Sequence, residues 1–367
     1  MGTGSAPRFG VEEEFLVVDP QTRGPVPRAQ EVVDAAKARL GGCVSGEITT
    51  WQLETRTEPC ASAAEVLEQL RQARTEVCAQ ARELGVRVIA SGTPVLGATM
   101  PPPMTQGPRQ TRGQQSFRGL HDELAICALH VHIELPDRDH AVRVSNQLRP
   151  YLPVLLTLTA NSPYWDGRDS GYASWRTMTW PRWPVAGPPP EFASAAHYDE
   201  VVETLLAAGA LVDRGTVFWD VRPSASHPTL EVRVADVPIT AEESALYAAL
   251  VRALVSYLSA RVDEGAASPQ IPGELMRTAY WRAARDGLCG DGVDLRTGRL
   301  TPAFELVDRL LAEIGPVLAA NGDAETVTGW LTSLRRGGIG AQRQRAAARR
   351  QGRLADVVDY LAEHTAA

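Results

Sequence analysis

The amino-acid sequence predicts an α+β fold built around a largely antiparallel sheet. Three observations predict it. Segments with strand periodicity recur between residues 9 and 240, hairpin-length or helical connections join them, and after Thr240 the pattern turns helical to the end. At 44% hydrophobic content, 367 residues can fill a sizeable core, so the chain reads as one domain over 1–367. Within it, residues 9–240 carry the sheet and residues 241–367 form a mainly helical part packed on it.

The elements follow in order. FGVEEEFLVV (9–18) reads as the first strand, ended by Asp19-Pro20, and a helix covers 29–40. TTWQLETRTEP is strand-like and stops at Pro59. Residues 62–84 give the clearest helix: Ser62 and Glu65 form a capping box, Leu67, Leu70, Val77, Ala81 and Leu84 make one stripe, and Gly85 closes it. VRVIASG (86–92) is a strand. Gly97 to Phe117, rich in Pro, Gly and Gln, lacks periodicity and reads as a long loop of the kind that closes over ligands.

LHVHIEL (129–135) is a strand, followed by a helical region over 141–160 that holds Pro150 and Pro153. Residues 162–190 are irregular and carry Trp165, Trp175, Trp180 and Trp183 among Arg168, Arg176 and Arg182. A helix near 197–209 precedes the strands TVFWDVRP and TLEVRVAD. Thr240 and Glu243 form a second capping box, Thr301-Pro302 is an N-cap with Pro at N1, and further helices lie near 323–335 and 341–363.

Composition excludes several function classes. Net charge is -7, so the concentrated positive field that nucleic-acid phosphates require is missing. Five scattered cysteines without CxxC spacing point to reduced thiols and a cytoplasmic protein. The first ten residues lack the apolar run of a signal peptide, and no stretch of about 18 uncharged apolar residues reads as a membrane span. Lys37 is the only lysine, and its amphipathic setting, VVDAAKARL, points it to water. A P-loop, a kinase strand lysine and a pyridoxal Schiff base are therefore all ruled out. Phosphate handling here has to rely on arginines and metal ions.

The strands carry unusual polar faces. Alternation puts His130, His132 and Glu134 opposite Leu129, Val131 and Ile133. It likewise sets Glu231, Arg233 and Ala235 against Leu230, Val232 and Val234, and Phe218, Asp220 and Arg222 against Val217, Trp219 and Val221. On the first strand Glu12 and Glu14 share a face, while Glu13 falls with Val11, Phe15 and Val17. A solvated face with weak surface ion pairs would carry Thr, Lys and Gln instead. Carboxylates, imidazole and guanidinium together suit Mg²⁺, which takes hard oxygen ligands, and arginines suit phosphate oxygens. His130-x-His132 alone also admits a zinc hydrolase, with a third ligand from an Asp or Glu elsewhere.

Ordered along nearly the whole chain, FGVEEEFLVVDP, TTWQLETRTEPC, IASGTP, CALHVHIELP, LTANSPYWDGRDSGYASWR, WDVRPS, TLEVRVADVPIT, WRAARDGLCG and GGIGAQRQR resemble glutamate–cysteine ligase family 2, the carboxylate–amine ligases related to glutamine synthetase. The resemblance implies a curved antiparallel sheet with helices on its outer face and a concave face that holds ATP and Mg²⁺. It implies Glu12, Glu14, Glu54, His130 and Glu231 as metal ligands, with Glu58 as the alternative to Glu54. It assigns Arg233, and with it Arg222, Arg176 and His130, to phosphate or acyl-phosphate contacts.

The reaction it implies joins a small-molecule acid, an amino acid such as glutamate among the candidates, to an amine. The acid's carboxylate attacks the γ-phosphate of ATP, and the amine then displaces phosphate from the acyl phosphate, leaving an amide and ADP. A non-catalytic nucleotide or amino-acid binding protein is the alternative outside enzymes, and homo-oligomerisation stays open. The chain departs from the family pattern at Ala128, at Thr93-Pro94, at Ala279 and in RQTRGQQSFRGL. These positions lie in or near binding loops, which implies an altered choice of substrate.

Overall fold

The computed structural model describes residues 6–97 and 100–366. Seven strands form the main sheet: β1 (Phe9–Val18), β2 (Val44–Gly46), β3 (Gln52–Arg56), β4 (Arg87–Ile89), β5 (Ala128–Glu134), β6 (Val221–Pro223) and β7 (Thr229–Asp236). Their order is β6-β7-β5-β1-β3-β2, with β4 continuing beside β1, and every pairing is antiparallel. The register decides the site. It sets Glu14 opposite Glu54, Glu12 opposite His130, His132 opposite Glu231, and Glu231 opposite Arg222.

The reverse face of the sheet is apolar. Val11, Val131, Leu230 and Val232 are fully buried there with the long helix Ala241–Asp263, whose Leu250, Val251 and Leu254 are likewise buried. Thr240 and Glu243 cap that helix reciprocally, as the sequence predicts. By length and composition alone the helix could cross a membrane, but 72% of its apolar window is buried in this core. A second apolar cluster joins Phe15, Val17 and Ile89 to the helices Ala29–Leu40, Ala63–Glu83 and Ala355–Thr365.

Between sheet and helices lies a buried ion pair. Glu13 turns to the reverse face, as its alternation predicts, and Arg74 of helix Ala63–Glu83 meets it at 2.5 and 3.0 Å, both side chains being 0% exposed. Arg74 also donates to the carbonyls of Pro238 and Ile239. Removing one partner strands a charge in the core. Arg74→Leu is therefore expected to cost about 3–5 kcal/mol in urea unfolding, and pairing it with Glu13→Leu should return most of that. A single-variant cost below about 1 kcal/mol would contradict the pairing.

Several elements differ from the sequence reading. The loop from Gly97 contains a helix, Pro108–Phe117, with Pro108 in its first turn. Only Gly113 and Phe117 of it are buried, so it has no apolar stripe to announce it. TVFWDVRP splits into Phe218–Trp219, paired in parallel with Ala186–Gly187, and β6. Ser62 caps its helix, but Glu65 reaches back to the amide of Ala61 at 2.7 Å rather than closing the box. Thr301-Pro302 ends a hairpin, Asp291–Asp294 with Arg299–Pro302, and the helix begins at Ala303. The predicted helix over 341–363 is two, Gly340–Gln351 and Ala355–Thr365, separated at Gly352, whose φ of 73° favours glycine.

Candidate active site

The polar face of the sheet floors a cleft of about 500 Å³. Across β5, β1 and β3 the register turns side chains from separate strands into one continuous row. His130 Nδ1 lies 3.1 Å from Glu12 Oε2, and His130 Nε2 lies 3.8 Å from Glu14. His132 Nε2 sits 3.6 Å from Glu12 and 3.9 Å from Glu231. Glu14 accepts the amide of Ala128 at 2.8 Å.

Among the described residues, three sets of ligand atoms converge within 4.8 Å: Glu14, Glu47 and Glu54; Glu12, Glu54 and His130; and Glu12, His132 and Glu231. Glu12, Glu14, Glu54, His130 and Glu231 thus come together. Glu58, the alternative to Glu54, is exposed and does not line the cleft. Glu47 escapes the sequence reading. It lies just past β2 and accepts the amide of Ile48 at 3.1 Å. The available signal was a second acid seven residues before Glu54 in the same hairpin, but its loop position hid it from a strand-alternation argument.

The electrostatics show what this site needs. Burial pushes the Glu14 carboxyl up to about 8, with the Glu47 charge adding to it. Glu54 is held well above its ordinary value by burial and by the charges of Glu47, Glu12 and Glu14, and Glu47 is raised chiefly by burial. Burial would raise Glu12 too, but hydrogen bonds to His130 and His132 outweigh it and hold it low. His130 falls to about 4 through burial and the neighbouring Arg233, so it stands neutral, with an unpartnered Nε2. Carboxyls pushed up by burial and by one another's charge, beside a neutral imidazole, are a ligand set that bound cations would relieve. The residues fit divalent metal.

The arginines are differently engaged. Arg222 makes a fork with Glu231, Nε to Oε2 at 2.8 Å and Nη2 to Oε1 at 3.2 Å, and its Nη1 donates to the carbonyls of Gly215 and Val217. Arg233 also pairs with Glu231 while its buried Nε has no partner. Burial would raise Glu231, and these two guanidiniums override it and hold it low. Arg176 lines the cleft from the helix Trp175–Thr179, but donates to the carbonyls of Arg233 and Val234 at 3.0 and 3.2 Å and faces Asp236 at 3.6 Å.

Those two carbonyls belong to a bulge. β7 pairs Val232 with Val131 but Ala235 with Leu129, one residue out of step. Simple alternation groups Ala235 with Glu231 and Arg233; the bulge puts Ala235 in the core and turns Asp236, opposite Ala128, to the site side. There Asp236 accepts from Ser162, Ser174 and the amide of Asn161.

The matched stretches of sequence thus meet at one cleft, and comparison with known proteins agrees with them. The family model of glutamate-cysteine ligase family 2 matches residues 8–360. The chain belongs to that family. A protein of Mycobacterium sp. (strain KMS) provisionally named glutamate–cysteine ligase 2-2 is 48% identical over 98% of this chain and 99% of its own length. A glutamate–cysteine ligase 2-1, also provisionally named, from Nocardia farcinica is 46% identical over 99% and 93%. Membership makes this chain an ATP-dependent carboxylate–amine ligase.

The fold agrees with that of solved ligases. Glutamate–cysteine ligase of Francisella tularensis, in complex with AMP, superposes with a TM-score of 0.73 at 13% identity, covering 99% of this chain and 89% of that one. The bifunctional glutathione synthetase of Pasteurella multocida gives 0.72 at 17% over 98% of this chain, which spans 52% of that enzyme. At these identities the likeness is one of fold. In this family member the far wall of the cleft is aromatic: Phe117 packs on Trp183 at 4.5 Å between ring centroids, and Trp180 on Phe218 at 4.8 Å. The helix in the predicted loop and the Trp-rich segment thus meet over the site.

Proposed function

We propose that the cleft joins an acid to an amine with Mg²⁺ and ATP, glutamate being the first acid to test. The observation that carries this reading is the row of opposed carboxylates and imidazoles, Glu14–Glu54 and Glu12–His130, set side by side by strand register. Glu14, Glu47 and Glu54 would hold one Mg²⁺, and Glu12, Glu54 and His130 another. Bound there, the ions would neutralise phosphate oxygens and so favour phosphoryl transfer from ATP.

The chain's own groups do the rest. Arg233, with donor capacity left on its guanidinium, is the phosphate contact this geometry favours. Arg222 uses all three nitrogens on protein partners, which supports a role in orienting Glu231. Arg176 clamps the bulge that aims Arg233. In the second step the amine nitrogen bonds the acyl carbon as its bond to the phosphate oxygen breaks, and the surplus amine proton leaves with phosphate.

The zinc-hydrolase reading gains less support. His130 and His132 fall in two different ligand sets rather than one. The test is release of ADP and phosphate by purified protein with Mg²⁺, an acid panel led by glutamate, and an amine panel. Turnover should need all three additions. ADP release indifferent to acid and amine, or zinc-dependent hydrolysis without ATP, would defeat the proposal.

A further inference from the structure

We propose that Asp236, Asn161 and Gln344 are positioning residues of this ligase: acting through Arg176, they hold the bulge from which Arg233 reaches phosphate. The inference rests on the ligase reading above and adds to it residues that stand behind the cleft.

Four of the matched stretches of sequence meet at Asp236. Asp236, Asn161, Ser162, Ser174 and Gln344 are each 0% exposed, and none of them lines the cleft. Asp236 Oδ2 accepts from the amide of Asn161 at 2.9 Å and from the Ser162 hydroxyl at 2.7 Å, and its Oδ1 accepts from Ser174 at 2.9 Å. The same Oδ1 faces Arg176 Nη1 at 3.6 Å. The two serines then fix the helix Trp175–Thr179. Ser162 accepts the amide of Arg176 at 3.1 Å, and Ser174 caps the helix at the amide of Thr177. One carboxylate thus holds both the backbone and the guanidinium of Arg176.

That guanidinium in turn holds the bulge. The register leaves Arg233 and Val234 without partners on β5, and theirs are the two carbonyls to which Arg176 donates. Arg176 and Arg233 each keep a buried Nε without a partner, so donor capacity for phosphate oxygens remains once these bonds are made.

Gln344 carries the arrangement to the helix Gly340–Gln351. Its Nε2 donates to Asn161 Oδ1 at 2.8 Å and to the Asn161 carbonyl at 3.0 Å. Asn161 Nδ2 bridges the carbonyls of Ala90 and Val237, the latter next to Asp236 in the chain. The packing leaves little slack: a Cβ at Gly340 would lie 2.1 Å from Asn161 Oδ1, and one at Gly92 2.8 Å from Asp236 Cγ. Gln344 Oε1 is itself buried without a partner, which costs stability rather than adding it.

The experiment uses the full chain with Mg²⁺, ATP and the acid and amine panels. Wild-type protein that releases no ADP with any pair would sink the ligase reading itself, and this inference with it. Asp236→Asn keeps the shape, but an obligate donor faces each oxygen, so the new amide must oppose either the Asn161 amide or Arg176. With an accepted acid and amine, kcat should fall about 10²-fold while the KM for ATP moves less than about threefold. The melting increment given by saturating Mg²⁺ should stay as in wild type, because the carboxylate ligands are untouched. Wild-type kcat, or loss of that increment, would overturn the inference alone.

Action through Arg176 has its own signature. In an Arg176→Met background Asp236→Asn should cost less than about threefold, whereas losses that multiply would refute the proposal. Should these variants fail to fold, Gln344→Met decides, since Met keeps the side-chain length and drops both donations to Asn161. Its kcat per folded enzyme should fall about tenfold. An unchanged kcat, whatever the melting temperature, would leave Gln344 a structural role only and defeat the inference.

Discussion

Glu54→Gln is expected to lower kcat about 10³-fold while stabilising the metal-free protein at neutral pH. Glu54 belongs to two of the three ligand sets, so one substitution weakens both. Gln keeps the shape but offers a neutral oxygen to a hard cation. The gain in stability has the same origin. Glu54 stands 7% exposed opposite Glu14, and folding holds its carboxyl well above the ordinary range, first through burial and then through Glu47, Glu12 and Glu14. Ionising Glu54 among these carboxylates therefore costs more in the folded protein than in the unfolded chain, a penalty at neutral pH that Gln avoids. Near pH 4.5 the unfolded chain is protonated as well and the advantage should vanish. ADP release and thermal melts in EDTA measure the two effects. Activity within tenfold of wild type, or a metal-free variant that melts lower at pH 7, would contradict the assignment.

Much of this site was legible in the sequence because strand alternation is a strict period. Glu12, Glu14, His130, His132, Glu231 and Arg233 could be placed on one side of their strands from spacing alone, and Glu13 on the other. What spacing could not supply was register, which makes Glu14 face Glu54 and Arg222 face Glu231. The bulge at Arg233–Val234 breaks the period within TLEVRVAD, so Asp236 rather than Ala235 joins the site side. Glu47 lies on a loop, where no periodicity applies, and the helix Pro108–Phe117 is polar on nearly every face. The role of Arg222 depended on where its partners' carbonyls fall. Residue type names a guanidinium, but only the fold shows whether its donors are already committed.

A pH series should separate the two faces of the carboxylate cluster. Between pH 6.5 and 8 the metal-free protein is expected to lose stability as pH rises, and Mg²⁺ is expected to reverse the trend. The sign follows from proton counts. Glu14, raised to about 8, retains its proton in the folded state through this window, whereas the unfolded carboxyl lost its own near 4.5. The folded state therefore binds more protons, and raising the pH disfavours it, by roughly 2 kcal/mol for such a group over the window. Glu54 and Glu47 act in the same direction. His130, lowered to about 4, acts oppositely, but its contribution is complete once the unfolded imidazole has lost its proton near 6.5. Glu12 and Glu231, held low, contribute stability that is lost only as pH falls into the acid range. Divalent metal competes with those retained protons, so its binding strengthens as pH rises and adds stability by mass action. Melting temperature in EDTA should thus fall by several degrees from pH 6.5 to 8, and the increment given by saturating Mg²⁺ should grow over the same interval. Parallel curves with and without Mg²⁺ would mean that the clustered carboxyls are not where the ion binds.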